Sequence, residues 1–303
     1  MKIGFIGVGK MGGQMIIRLL QAGHTIVATD HNAAAIDVAV NAGALPAENR
    51  EAVVEQLDNS DAPTVIWLMI PAGFVDTEID ALLALVPSGS ILIDGGNSDF
   101  RLTRRRAQRC LEKGVHLIDV GTSGGIMGLE NGFSMMVGGD KQAYDIVEPL
   151  IQALAQPAGY GYFGPTGAGH YVKMVHNAIE YGLMEAYAEG YMLLKDSSEY
   201  ANLDLGAIGS VWQHGSIIDS KLNALATTIL QANSSLDGVD GYVAQSGEAQ
   251  WTLETAKEQG IAMPVVQAAL DKRVASQQGS TDFANKLLAA LRNGFGGHAI
   301  NKQ

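Results

Sequence analysis

The run Lys2-Ile3-Gly4-Phe5-Ile6-Gly7-Val8-Gly9-Lys10-Met11-Gly12 decides the fold. It starts as a short aliphatic strand pattern, passes straight into glycines spaced G-x-G-x-x-G, and continues as a helical pattern with Met15, Leu19 and Leu20 on one apolar face. The three glycines then play separate parts. The first makes the tight turn, the second lets a pyrophosphate approach the backbone, and the third lets the helix pack on the strand. A plain glycine turn is the rival reading, and the strand, turn and helix context weighs against it. Gly7, Val8, Gly9, Lys10, Met11 and Gly12 are therefore the expected cofactor contacts.

A second strand, Thr25 to Thr29, runs into Asp30-His31, which puts a carboxylate about 20 residues past the fingerprint, where a ribose 2′-hydroxyl is bound. Asp30 would accept from that hydroxyl and repel a 2′-phosphate. A phosphorylated ribose calls for an arginine here, and the neighbour is His31, so NAD is the expected cofactor, with NADP less favoured.

Further strand patterns at Lys2 to Val8, Thr64 to Met69, Ser90 to Asp94 and Val115 to Asp119 alternate with helical ones, the signature of a parallel doubly wound sheet. Phe133 to Val137 and Gly159 to Phe163 are expected to extend its later edge. The breakers Gly164-Pro165-Thr166-Gly167 end the strand pattern. Helical periodicity follows over 168–195, 203–231, 247–259, 263–277 and 281–292, before a glycine-rich tail from Gly294 to Gly297. The expected architecture is an α/β Rossmann-like domain over 1–165 followed by an all-α domain over 166–303.

At 303 residues, 47% hydrophobic and 17% charged, the composition is that of a globular protein with a sizeable core. One cysteine, Cys110, excludes an internal disulfide and a thiolate metal cage and fits a reducing compartment, so the cytoplasm is expected and no metal site is. The apolar run Val65 to Ile70 is too short to span a bilayer. A net charge of -12 disfavours nucleic acid and anionic membranes as partners, and any anionic ligand must meet a local cationic pocket.

Later in the chain, Lys173, His176, Asn177 and Glu180 recur at the offsets of one helix face, among Met174, Val175, Ile179, Leu183 and Met184. The apolar surroundings favour a buried location, where an amine and a carboxyl are costly unless they serve chemistry. A solvated polar stripe is the alternative. Three segments lie at expected carboxyl ends of strands: Ile70-Pro71-Ala72-Gly73 after Met69, Asp94-Gly95-Gly96-Asn97-Ser98, and Gly121-Thr122-Ser123-Gly124-Gly125. Asn97 and Ser123, flanked by glycines, suit a polyhydroxylated anion; each segment alone reads more often as a plain loop, and only their shared end of the sheet brings the functional reading level with it. The run Arg101, Arg104, Arg105, Arg106 and Arg109 reads mainly as a solvated helix face.

Together, Gly7 to Gly12, Asp94 to Ser98, Thr122-Ser123-Gly124-Gly125 and Lys173-Met174-Val175-His176-Asn177-Ala178-Ile179-Glu180-Tyr181 resemble the decarboxylating 6-phosphogluconate dehydrogenases in their short-chain form, within the β-hydroxyacid dehydrogenase superfamily. The resemblance implies oxidation of 6-phosphogluconate with NAD, then a metal-free decarboxylation to ribulose 5-phosphate in the pentose phosphate pathway. It makes Lys173 the base and later the acid at C3, and Glu180 the acid that protonates C1 of the enediol left by decarboxylation. Asn97, Ser123, Gly124, Gly125, His176, Asn177 and Tyr181 become substrate contacts, and Met69, Ile70, Pro71 and Asn97 line the cofactor. Arg273, Arg292 and His298 match phosphate-binding positions only through this resemblance. Two departures stand out: Gln250, before Trp251-Thr252, replaces a commonly basic residue, and Asp30-His31 replaces a basic pairing. The nearest rival is a β-hydroxyacid dehydrogenase that does not decarboxylate another sugar acid; a non-catalytic nucleotide sensor is the rival of another class. A helical domain half the size of that in long-chain relatives is expected to leave apolar faces uncovered, so a homodimer or homotetramer is expected.

Overall fold

The computed structural model describes residues 1–57, 62–279 and 281–297. It divides into two compact units, Met1–Met174 and Val175–Gln303.

In the first unit, eight strands form one sheet: β1 (Lys2–Ile6), β2 (Thr25–Thr29), β3 (Leu45–Pro46), β4 (Val65–Leu68), β5 (Ile91–Asp94), β6 (His116–Ser123), β7 (Phe133–Gly138) and β8 (Ala155–Tyr162). Their order is β3-β2-β1-β4-β5-β6-β7-β8, so the strand order reverses between β1 and β4. Helices α1 (Lys10–Gln21), α2 (Ala33–Asn41), α3 (Arg50–Leu57), α4 (Val75–Leu83), α5 (Phe100–Glu112), the single turn α6 (Gly128–Asn131) and α7 (Lys141–Leu154) connect them. Strands buried on both faces need apolar residues at consecutive positions. Phe5, Trp67, Ile93 and Ile118 pack with Met15, Ile16, Leu19 and Val147 on one side, while Ile66, Leu68, Leu92 and Leu117 pack with Val53, Ile79 and Cys110 on the other. Each such aliphatic side chain removed from water contributes roughly 1.5–3 kcal/mol.

Two features depart from the expected sheet. The two-residue edge strand β3 pairs with β2 and carried no run long enough to read. Strand β7 is antiparallel to β6, because the connection through residues 124–132 is too short for a crossover helix. Parallel pairing resumes at β8, after α7.

The 28-residue α8 (Ala168–Lys195) starts in the first unit and ends in the second. Its first turn belongs to the first unit because Gly169 lies against strand backbone: a β-carbon there would sit 2.4 Å from the Met136 carbonyl oxygen and 2.6 Å from that of Asp119.

The second unit is helical: α9 (Leu205–Trp212), α10 (Lys221–Ala232), α11 (Glu248–Glu258), α12 (Pro264–Gln277) and α13 (Phe283–Gly296) follow α8. The periodic stretch 203–231 is two helices rather than one. Asp204 caps α9 by accepting from the Ala207 N–H at 2.9 Å, and Ser220 caps α10 by accepting from Asn223 at 3.0 Å. The expected glycine tail is also mostly helix, and α13 ends only at Gly297, whose φ is 61°. A β-carbon on Gly294 would sit 2.8 Å from the Leu225 side chain, so that glycine serves packing against α10. Among the described residues, no helix is long and apolar enough to cross a membrane.

Candidate active site

The fingerprint glycines do what their spacing requires. Gly7 has a φ of 100°, and a β-carbon on it would lie 2.4 Å from the Met69 carbonyl oxygen at the end of β4. A β-carbon on Gly12 would lie 2.2 Å from the Gly7 carbonyl oxygen. Over Gly9, by contrast, no atom of the described residues stands within 4 Å, and Gly9 caps α1 with no side-chain hydrogen bond. An open cradle beside the amide groups of a helix's first turn fits a pyrophosphate. Lys10 is exposed and Met11 half-buried there. Met69 and Ile70, half-buried, and Pro71, exposed, follow β4 at the point where the strand order reverses, the usual place for a ligand in such sheets.

Asp30 is tied to this loop. Its carboxylate accepts from the Val8 N–H at 2.5 Å and from the Asn32 N–H at 2.8 Å, with His31 exposed beside it. The two oxygens thus stand at the fingerprint turn with their charge met by backbone amides.

After β5 the chain turns on a buried network. The Arg106 guanidinium, 0% exposed, donates to Asp94 at 3.3 Å, to the Ser98 hydroxyl at 3.0 Å and to Asp76 at 2.7 Å. This corrects the reading of the arginine run for one member: Arg106 is a core residue. Arg101 and Arg109 pair with Asp99 and Asp76, leaving Arg104 and Arg105 as the exposed face. Hydrogen bonding to Arg106, and to Arg109, holds the Asp76 carboxyl down to about 2. The network fixes Gly95-Gly96 and leaves Asn97 exposed at the strand end. Nothing in the sequence distinguished Arg106 from its neighbours except its helical offset from Thr103 and Cys110.

At the end of β6, Ser123 is half-buried, and Gly124 and Gly125 take φ values of 130° and 57°, which other residues adopt only with strain. Helix α1 clamps the segment that follows. Gln14 donates to the Ile126 carbonyl at 2.8 Å and accepts from the Leu129 N–H at 3.0 Å, while Arg18 donates to the Leu129 carbonyl at 3.0 Å. These two residues were not singled out from sequence; their only signal was polarity on the fingerprint helix.

The start of α8 is held by Asp119. Its buried carboxylate accepts from the Gly167 N–H at 2.7 Å and the His170 N–H at 2.8 Å, and burial pushes its pKa up. His170 Nδ1 meets the Thr103 hydroxyl at 2.8 Å. One turn on, a β-carbon on Gly121 would be 2.3 Å from the Lys173 β-carbon, so Lys173, 5% exposed, rests directly on the end of β6.

In the second unit, the helix face continues through His176, Asn177, Glu180 and Tyr181. His176 Nδ1 lies 3.1 Å from Asn177 Oδ1 and 3.9 Å from the Glu180 carboxylate. Asn177 donates at 3.0 Å to Glu248, a buried carboxylate that also accepts from the Ser246 hydroxyl at 2.5 Å. Sequence reasoning missed Glu248, which is far away in the chain and carries no motif. Glu180 is half-buried, whereas Ile179 and Leu183, expected among the apolar surroundings, are 54% and 51% exposed. Only part of that apolar set is therefore covered within the chain.

Arg273, 1% exposed, lies 3.3 Å over the Tyr181 ring, and burial pushes its pKa down to about 10. Arg292 is also buried, with its pKa lowered by burial and supported by Tyr181, Glu248 and Glu180. The two guanidiniums and Tyr181 therefore share one electrostatic neighbourhood. Gln250 is exposed and donates to Glu254 at 3.0 Å. His298 lies outside the described residues.

Comparison with known proteins matches both parts of the chain. Residues 2–164 match the family described as the NAD binding domain of 6-phosphogluconate dehydrogenase, and residues 169–294 match the 6-phosphogluconate dehydrogenase C-terminal domain. The chain is 40% identical to an NAD(+)-dependent, decarboxylating 6-phosphogluconate dehydrogenase of Haloferax volcanii over 100% of its length and 99% of the relative's. A decarboxylating 6-phosphogluconate dehydrogenase of Synechococcus elongatus is 34% identical over 91% of this chain, which spans 61% of that longer protein. Among solved structures, Plasmodium falciparum 6-phosphogluconate dehydrogenase, solved apo, with its cofactor NADP+ and with its substrate 6-phosphogluconate, superposes with a TM-score of 0.82 at 30% identity, covering 96% of this chain and 70% of that one. With both parts of the fold matched in order and full-length relatives alongside, this chain belongs to the 6-phosphogluconate dehydrogenase family.

Proposed function

We propose that this protein oxidises and decarboxylates 6-phosphogluconate to ribulose 5-phosphate and carbon dioxide, reducing NAD in preference to NADP. The observation that carries the reading is one helix face: α8 holds Lys173 against the end of β6 and presents His176, Asn177, Glu180 and Tyr181 in the following two turns. In this reading residues 1–165 bind the dinucleotide and residues 166–303 form the substrate and dimerisation domain.

Lys173, unprotonated at the outset, takes the proton of the C3 hydroxyl as C3 is oxidised; a lysine out of bulk water loses its proton more readily. The nicotinamide, when bound, supplies the two-electron acceptor for the hydrogen on C3. The ammonium now on Lys173 donates to the new C3 ketone. The C1 carboxylate then leaves as carbon dioxide, and its bonding electrons pass into an enediol stabilised at that oxygen. Glu180 delivers a proton to the carbon that bore the carboxylate, C2 of the substrate and C1 of ribulose 5-phosphate, as the enediol hydroxyl at the former C3 returns its proton to Lys173, completing the ketose. Asn177, fixed by Glu248, and His176 hold the hydroxyls together with Asn97, Ser123 and the amides of Gly124 and Gly125. Arg273, Arg292, Tyr181 and His298 take the phosphate.

NAD preference is supported by the Asp30 carboxylate at the end of β2, followed in the chain by His31 rather than an arginine, and by the NAD(+)-dependent Haloferax volcanii relative. Cytoplasmic location and a homo-oligomer belong to the same proposal. The test is purified protein with 6-phosphogluconate and with gluconate, each with NAD and NADP. One carbon dioxide per NADH from the phosphorylated acid alone is expected. Reduction without carbon dioxide would transfer the assignment to a non-decarboxylating dehydrogenase, and a higher kcat/KM with NADP would remove the cofactor preference.

A further inference from the structure

Glu185 stands one turn beyond Tyr181 on α8, and it is an anomaly. Its carboxyl is buried, and neither oxygen has a hydrogen-bond partner among the described residues. Buried polar groups are ordinarily satisfied, and a lone buried carboxylate is costly. The Tyr181 hydroxyl and the Asn285 amide nitrogen are likewise buried without partners. Arg273 lies on the Tyr181 ring and within electrostatic reach of Glu185, and Asn285 is two turns before Arg292 on α13.

The charges facing Glu185 come from three helices. Lys272 and Arg273 on α12 favour its ionised form, while Glu189 on α8 and Asp282 at the start of α13 oppose it. The nearest compensation is already engaged, since the Lys272 amine is held by Asp282 at 2.6 Å. A carboxylate in this position competes with any anion for Arg273.

We infer that Glu185 is a positioning residue whose carboxyl takes a proton from solvent when a dianion settles beside Arg273 and Arg292, so that the site's affinity for a phosphate group is set by pH through this side chain. Two negative charges entering the neighbourhood of a buried carboxylate disfavour its ionised form, and the proton that neutralises it leaves both guanidiniums to the incoming anion. Burial has already moved Glu185 up to about 7 in the ligand-free chain, so the linkage operates near neutrality. Below that range the carboxyl is neutral beforehand and no proton is taken up. Above it, binding requires one. The inference rests on the assignment of Arg273 and Arg292 to the anionic end of the ligand, but not on the reaction proposed.

Inorganic phosphate is the probe, titrated calorimetrically into the full chain in two buffers of different ionisation enthalpy between about pH 8 and 9, above its own second ionisation, so that the dianion is the species added. Wild type should take up a fraction of a proton that rises towards one, and its Kd should weaken by up to about tenfold per pH unit. Glu185→Gln, a neutral near-isostere, should show no uptake and a flat Kd. An infrared difference spectrum of wild type should gain a protonated-carboxyl band on adding phosphate, which tests the idea without any variant. Equal uptake in both proteins, or phosphate binding to wild type with no uptake and no new band, overturns the inference; so does an absence of phosphate binding. Turnover of 6-phosphogluconate is scored separately: linkage through Glu185 in a protein that does not turn it over keeps this inference and sinks the proposed reaction.

Discussion

Lys173 shows how much of the chemistry a single environment sets. It is 5% exposed and lies on Gly121, where any side chain would collide with it. In the reaction proposed above, replacing Lys173 with alanine would remove both the base and the later acid, so turnover should fall on the order of 10³-fold or more while NAD affinity holds. Fluorescence titration with NADH beside a steady-state assay checks this, and unchanged turnover would refute the role. Glu185 makes a different prediction. Its pKa is raised from 4.5 to about 7 on folding. The folded state therefore binds its proton more tightly than the unfolded chain, and the resulting stability is whole below pH 4.5 and lost as pH rises through 7. Up to about 3 kcal/mol is at stake. Glu185→Gln should accordingly gain stability over wild type in urea melts at pH 8, with the difference shrinking towards pH 5.

At the scale of elements, the close approach of α8 to the sheet depends on missing side chains. Gly121 and Gly169 let the helix axis come within reach of strand backbone, and Asp119 accepts from the first amides of the helix. Gly121→Ala should force α8 outward and cost roughly 1–3 kcal/mol, with kcat falling more than NAD affinity. Thermal melts and kinetics on the same preparation check it. The fingerprint, the strand ends and the α8 motif could be read from sequence because each rests on local spacing: glycines at fixed offsets, or polar residues on one helix face. Arg106, Glu248 and the clamp made by Gln14 and Arg18 could not. Their partners are distant in the chain, and an arginine on an amphipathic helix looks solvated until Asp76 and Asp94 are seen beside it. The break between α9 and α10 was hidden because apolar periodicity carries across a capped turn, and β3 was too short to show any pattern.

For the whole molecule, the apolar side chains that remain open point to assembly. Ile179, Leu183, Leu193, Val211, Ile217 and Val265 are each more than half exposed in the second unit. Their exposure is the ground for the proposed homo-oligomer, in which a second copy would cover part of this apolar surface. Light scattering should return at least twice the chain mass, and a concentration-independent monomer would exclude the homo-oligomer.

The continuity of α8 also bears on how such a chain can be rearranged. No loop separates the lysine from the glutamate; 28 residues run as one continuous helix. Inserting a single residue between Lys173 and Asn177 would rotate everything downstream by about 100°, whereas inserting seven would nearly restore the phase. Chimeras between relatives should therefore tolerate crossovers in the surface turns on either side but reject frame-slipped splices inside the helix, because such a splice would part Lys173 from the polar face it shares.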